Sequence, residues 1–175
     1  MTRLEKVLGS IFLLAVLCGV AAGGFFFGGF FSVAASDPDP SIVNWALIHV
    51  REASIARHAV DQPPASLDDP AIIRAGAQAY LRSGCVYCHG GPGLKPAPFS
   101  EGLNPAPNLK KVVKGLTPQE LFWVVKNGIK MTGMPSFGSE TPPVPDHDLW
   151  AIAAFLKKLP GVSSEEFKAW SAPQP

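Results

Sequence analysis

Residues 85–89 of this 175-residue chain read Cys85-Val86-Tyr87-Cys88-His89, two thiols three positions apart with an imidazole beside the second. Such a group could bind zinc, exchange a disulfide, or attach a porphyrin. The chain has three cysteines, the third being Cys18, so a four-cysteine zinc site is impossible. A disulfide scaffold would be richer in cysteine. A thioredoxin-like dithiol belongs in a β-α-β context, and no β pattern competes here. What remains is haem attachment, of which C-x-x-C-H is the sequence signature. Two thiols at this spacing at a helix end can add to the two vinyl groups of one haem. His89 then sits beneath the iron and supplies an imidazole nitrogen. The motif occurs once, so one covalent haem c is expected.

The sixth iron ligand separates electron transfer from chemistry at the metal. A methionine opposite the histidine fills the coordination sphere and raises the reduction potential. Met131 and Met134 both lie in a loop of the right kind. Met134 precedes Pro135, which holds the chain extended there, and Gly133 lets the backbone approach closely. Local geometry therefore favours Met134. Both could instead be methionines that fill gaps in a core. With Met134 displaced or absent from the iron, the alternative function is a haem enzyme or gas sensor.

The elements that must position these residues are helical. Asp69-Pro70 is a helix start, with a cap followed by proline at the first position. Residues 71–83 follow, offering Ile72, Ile73, Ala75, Gly76, Ala79 and Tyr80 for packing and stopping at Gly84. Residues 90–116, rich in proline and glycine, read as an extended loop. Thr117-Pro118-Gln119-Glu120 is a capping box that opens a helix running to Asn127-Gly128. Asp146 or its neighbour caps a last main helix with Leu149, Trp150, Ile152, Ala153, Phe155 and Leu156 as its apolar set. Pro160-Gly161 ends it, Ser163 and Glu166 cap one short turn, and the last five residues are expected to fray. A core of about 90 residues is marginal by protein packing alone, and a large buried cofactor would complete it.

Upstream, no charged residue occurs between Lys6 and Asp37. A membrane-spanning helix needs about 20 such residues and a secretory h-region only about 7–15, so length favours a retained anchor over a cleaved signal. Val33-Ala34-Ala35 would serve as the cleavage site in the second case. Arg3 and Lys6 precede the run, which places the rest of the chain outside the cytoplasm. Cys18 follows bulky Leu17, a poor context for lipidation, and reads as a buried apolar side chain. Gly19/Gly23 and Gly24/Gly28 have the spacing that lets membrane helices approach. Asp39-Pro40 repeats the cap signal, and a helix over about 41–60, apolar near its start and polar near its end, stops before Pro63-Pro64.

Over residues 66–161 the chain resembles a class I c-type cytochrome. The motifs that carry the likeness are Gly76 and Tyr80, Cys85-x-x-Cys88-His89, Pro107-Asn108-Leu109, Met134-Pro135, and Leu149-Trp150 with Phe155-Leu156. The resemblance implies an all-α fold in which the first and last helices cross near Gly76 and the Trp150/Phe155 pair. It also implies that the Pro107 carbonyl accepts a hydrogen bond from His89, orienting the ring. The proline-rich stretch from Gly91 to Pro107 departs from the family pattern, and the helix at 41–60 lies outside it. Four segments are expected: an anchor at 1–36, an extra helix and linker at 37–65, the haem domain at 66–161, and a tail at 162–175.

The expected function is single-electron transfer, either as a subunit of a respiratory complex or as a tethered carrier. No nucleic acid and no small-molecule substrate is expected. The net charge of +1 is uninformative, but its distribution is not. Residues 36–69 carry six acidic and two basic side chains, and residues 70–160 carry ten basic and five acidic. Lys95, Lys110, Lys111, Lys114, Lys126 and Lys130 flank the two ligand regions and could steer acidic redox partners. Membrane-embedded subunits are the other expected partners, with the haem domain in the periplasm of a bacterial inner membrane. His49, His58 and His147 lack convergent ligands and are expected at surfaces or interfaces.

Overall fold

Asp69 starts the helix that leads into the C-x-x-C-H turn. Its carboxylate accepts a hydrogen bond from the Ala71 N–H (2.8 Å), and Pro70 occupies the first turn, where its missing N–H costs nothing. The structure, a computed structural model, describes residues 2–34, 36–64, 66–102 and 106–172. Its helices are α1 (Arg3–Phe27), α2 (Ser41–His58), α3 (Pro70–Arg82), α4 (Cys85–His89), α5 (Leu109–Val112), α6 (Pro118–Asn127), α7 (Asp146–Lys158) and α8 (Ser164–Ser171). Among the described residues there is no strand, only an isolated bridge between Gly91 and Leu94. The chain forms two compact units, residues 1–38 and 39–175.

In the second unit α3 crosses α7 at Gly76. A Cβ there would overlap the Ala151 carbonyl oxygen and lie 2.9 Å from Phe155 Cβ, so the two backbones touch where α3 has no side chain. Around the crossing Ala77, Leu149, Ile152, Ala153 and Phe155 are fully buried. Tyr80 packs on Phe155 with ring centroids 5.4 Å apart, and its hydroxyl donates to the Gly90 carbonyl at 2.7 Å. That bond ties the middle of the core to the residue that follows the C-x-x-C-H turn. Arg82 pairs with Asp148 at 3.2 Å across the same two helices.

The third main helix joins through the expected capping box. Thr117 Oγ1 accepts from the Glu120 N–H, and the Glu120 carboxylate accepts from the Thr117 N–H at 2.7 Å. α6 then stacks Phe122 flat on Trp150 of α7, with centroids 4.0 Å apart and planes 6° apart. It stops at Gly128, after which residues 129–136 form the methionine loop.

Several expectations are corrected. Asp146 does not cap α7. The N-cap is Pro145, which has no side-chain cap bond, and the Asp146 carboxylate pairs instead with Lys126 at 2.8 Å. Asp39 does not cap α2 either. Pro40 is extended (ψ 137°), its carbonyl accepts from Val43 and Asn44, and the helix begins one residue later, at Ser41. The stretch 90–116 is not wholly extended. Buried Val113 anchors a short turn after α5, and Lys157 of α7 donates to the Val113 and Leu116 carbonyls at 3.3 and 2.7 Å. On α3, Ala77 takes a core place while Ile72 is only half-buried.

Within the second unit, the segments on either side of α3–α7 pack on those helices. α8 is two turns long, capped by Ser163, and lays buried Phe167 on Phe155 with centroids 5.5 Å apart. Gln78 Nε2 donates to the Trp170 and Ala172 carbonyls, so the start of the expected frayed end is held, while residues 173–175 lie outside the described residues. α2 buries Ile55 and stacks His58 on Trp123 of α6.

In the first unit α1 is capped by a Thr2/Glu5 box, and none of its side chains is buried within the structure. At 25 residues and a mean hydropathy of 2.3 it is long and apolar enough to cross a membrane. Cys18 lies on this helix, and nothing else within the unit covers it. Ala35 of the possible cleavage site lies outside the described residues.

Gly76→Ala is expected to push α3 off α7 and cost about 1–3 kcal/mol, the usual range for an overpacked core. Gly115→Ala, where an added Cβ meets nothing within 4 Å, is the control and should leave the denaturation midpoint nearly unchanged. Equal midpoints for the two variants would contradict the close crossing. Tyr80→Phe leaves the buried Gly90 carbonyl without its donor and should lower stability by about 1–3 kcal/mol, read by the same denaturation.

Candidate functional site

The C-x-x-C-H segment is a single helical turn bracketed by two glycines. Gly84 (φ +73°) ends the path from α3, and Gly90 (φ +65°) turns the chain away after His89. A side chain at Gly90 would be strained in that backbone region and would also meet the Leu94 carbonyl at 2.7 Å. The turn puts Cys85 and Cys88 at i and i+3, hence on one helix face. Cys85 is buried, Cys88 is half-buried, and both thiols are free.

Burial pushes the Cys85 thiol up to about 12, with smaller effects from nearby groups including Cys88. A cysteine that serves as a redox nucleophile or metal thiolate is found with a lowered value, in electropositive surroundings. Cys85 has the opposite environment, one suited to a sulfur that stays uncharged, as in a thioether.

His89 Nδ1 lies 3.3 Å from the Pro107 carbonyl oxygen. A carbonyl can only accept, so Nδ1 carries the proton and Nε2 keeps its lone pair. Burial lowers the His89 pKa and the Pro107 bond opposes that shift, so the ring is held neutral and oriented, as a metal ligand must be. The donor set therefore fits a covalently attached haem: two cysteine sulfurs on one face, the buried one uncharged, and a neutral imidazole with one nitrogen committed and one available. Among the described residues no group of three or more His, Cys, Asp or Glu side chains is gathered to hold a bare metal ion.

The two methionines differ sharply in surroundings. Met131 is 90% exposed, on a backbone with φ +61°. Met134 is half-buried and packs against the core. Its N–H donates to Thr132 Oγ1 at 3.1 Å, and its carbonyl accepts from the Ile129 N–H at 3.2 Å, so the loop closes on itself around that position.

Of the six flanking lysines, Lys95, Lys110, Lys111, Lys114 and Lys130 are exposed, and Lys110 Nζ reaches the Val162 carbonyl at 3.5 Å. Lys126 is committed to Asp146 and to the face of Phe122, 5.1 Å from its ring centroid. His49 and His58 each bond a carbonyl one turn back on α2, and His147 is exposed beside Asp148.

Sequence reasoning missed the Tyr80 bond to Gly90 and the Lys157 bridge to the 113–116 turn. Tyr80 was visible as an aromatic core position, but its hydroxyl had no partner identifiable along the chain. Nothing local in the sequence marks Lys157 as a bridge to a turn more than 40 residues upstream.

Residues 71–156 match the protein family described as Cytochrome C oxidase, cbb3-type, subunit III. The match spans just under half of the chain and includes α3, α4, α5, α6 and most of α7. Comparison with curated proteins and with solved structures gives no match. The matched segment, carrying the C-x-x-C-H turn in an all-helical fold behind an N-terminal apolar helix, is a c-type cytochrome domain, the kind of domain that supports electron transfer on a covalent haem.

Proposed function

We propose that the protein carries single electrons on one covalent haem c with His89 and Met134 as axial ligands. In this reading it serves a respiratory complex of the cytochrome c oxidase kind, as a fixed subunit or a tethered carrier. The observation that carries the reading is the hydrogen bond from His89 Nδ1 to the Pro107 carbonyl, which leaves Nε2 for the iron. Cys85 and Cys88 would hold the group as thioethers. When bound, the haem supplies the one-electron redox centre. The chain's residues do the rest. Pro107 keeps the His89 ring in one tautomer and one orientation. Met134, held by the Thr132 and Ile129 contacts, would offer the iron a neutral sulfur, a ligand type that favours the reduced metal. With the sixth position so filled the protein transfers electrons and does no bond chemistry itself.

α1 supports a single-pass anchor, and the basic residues Arg3 and Lys6 at its start support a haem domain on the periplasmic side of a bacterial inner membrane. Membrane-embedded oxidase subunits are then the natural partners, in line with the matched family's description. Exposed Lys95, Lys111, Lys114 and Lys130 suit an acidic redox partner, whereas Lys126 is taken up internally.

Two measurements test the reading together. The reduced protein should bind carbon monoxide slowly or not at all; rapid binding would establish an open sixth position and favour a haem enzyme or gas sensor. A C-terminally tagged chain extracted in mild detergent should recover oxidase subunits in stoichiometric amount if it is a fixed subunit. Recovery alone with intact haem would make it a tethered carrier.

A further inference from the structure

α2 lies outside the matched family segment, and its polarity changes along its axis rather than around it. The second half packs on the haem-bearing unit through buried Ile55 and through His58 on Trp123. The first half is apolar on nearly every side, yet Ile42 (70%), Trp45 (57%), Leu47 (50%) and Val50 (67%) are exposed. A helix segment that is apolar all round is normally covered. We propose that this first half of α2 is seated in the lipid interface of the same membrane that α1 crosses, fastening the cytochrome unit to the bilayer surface.

Three observations favour lipid over a protein occupant. First, α2 is chained to the apolar helix: about 13 residues separate Phe27 from Ser41, a reach of at most about 45 Å even when fully extended. Second, the apolar end of α2 is the one nearer α1 in sequence, and the end bearing Arg51, Glu52, Arg57 and His58 is the one farther away. A helix entering an interface end-first needs that order, whereas a helix lying flat on a partner would show a stripe instead. Third, Trp45 belongs to the residue type enriched at the headgroup level.

The proposal rests on α1 being a membrane span, and the test separates the two. The full haem-loaded chain, with Cys18→Ser, is placed in phosphatidylcholine nanodiscs. Single nitroxide labels are attached at Leu47→Cys, at Leu14→Cys in α1, or at Lys130→Cys, with Cys85 and Cys88 occupied by the haem. The readout is the accessibility of each label to oxygen, which partitions into lipid, relative to a polar nickel complex. The expected result is a ratio at Leu47 several-fold above Lys130 and on the side of Leu14. A Leu47 ratio equal to that of Lys130, with Leu14 lipid-like, would overturn the proposal and leave the anchor standing. A Leu47 label shielded from both reagents would overturn it in favour of a protein partner or a second copy. A water-like Leu14 label would overturn the anchor reading and the proposal with it.

Discussion

Two helices can touch backbone to backbone only where a side chain is missing, and Gly76 is that place. The crossing of α3 and α7 there decides the position of much else. It puts Tyr80 one turn further along α3, against Phe155, with its hydroxyl reaching Gly90. Gly90 closes the turn that holds Cys85, Cys88 and His89. α7 in turn presents Trp150 to Phe122 and so fixes α6, from whose end the Met134 loop departs. The C-x-x-C-H turn and the Met134 loop are far apart in the sequence. They share one frame because both hang on the same helix pair.

The second constraint is electrostatic. The site holds a buried thiol whose ionisation burial opposes, and an imidazole that burial keeps neutral and a carbonyl on Nδ1 orients. Elsewhere in the unit charge lies on exposed lysines and in pairs such as Lys126–Asp146 and Arg82–Asp148 that join helices. A low-charge interior favours the reduced over the more highly charged oxidised metal.

Much of this was legible in the sequence because the signals are local. The C-x-x-C-H spacing, the Asp69-Pro70 and Thr117–Glu120 caps, and the apolar set of α7 are each settled within a few residues. Where the reading failed, the deciding partner was distant. Of Asp146 and its neighbour, both read as cap candidates, the neighbour Pro145 holds the cap position, and Asp146 pairs with Lys126, 20 residues away. The 113–116 turn depends on Lys157, more than 40 residues away, and α8 is held by Tyr80 and Phe155 through Phe167. The N-terminal half of α2 was equally hard to interpret, since its apolar residues form no stripe.

The central claim is that His89 and Met134 together close the coordination sphere. The most direct measurement is the weak absorption band that a ferric His/Met haem shows at the red end of the visible spectrum, recorded for the wild type, Met134→Ala and Met131→Ala. The account predicts a band in the wild type and in Met131→Ala and its loss in Met134→Ala. A band that survives in Met134→Ala, or that is missing from the wild type, would contradict it.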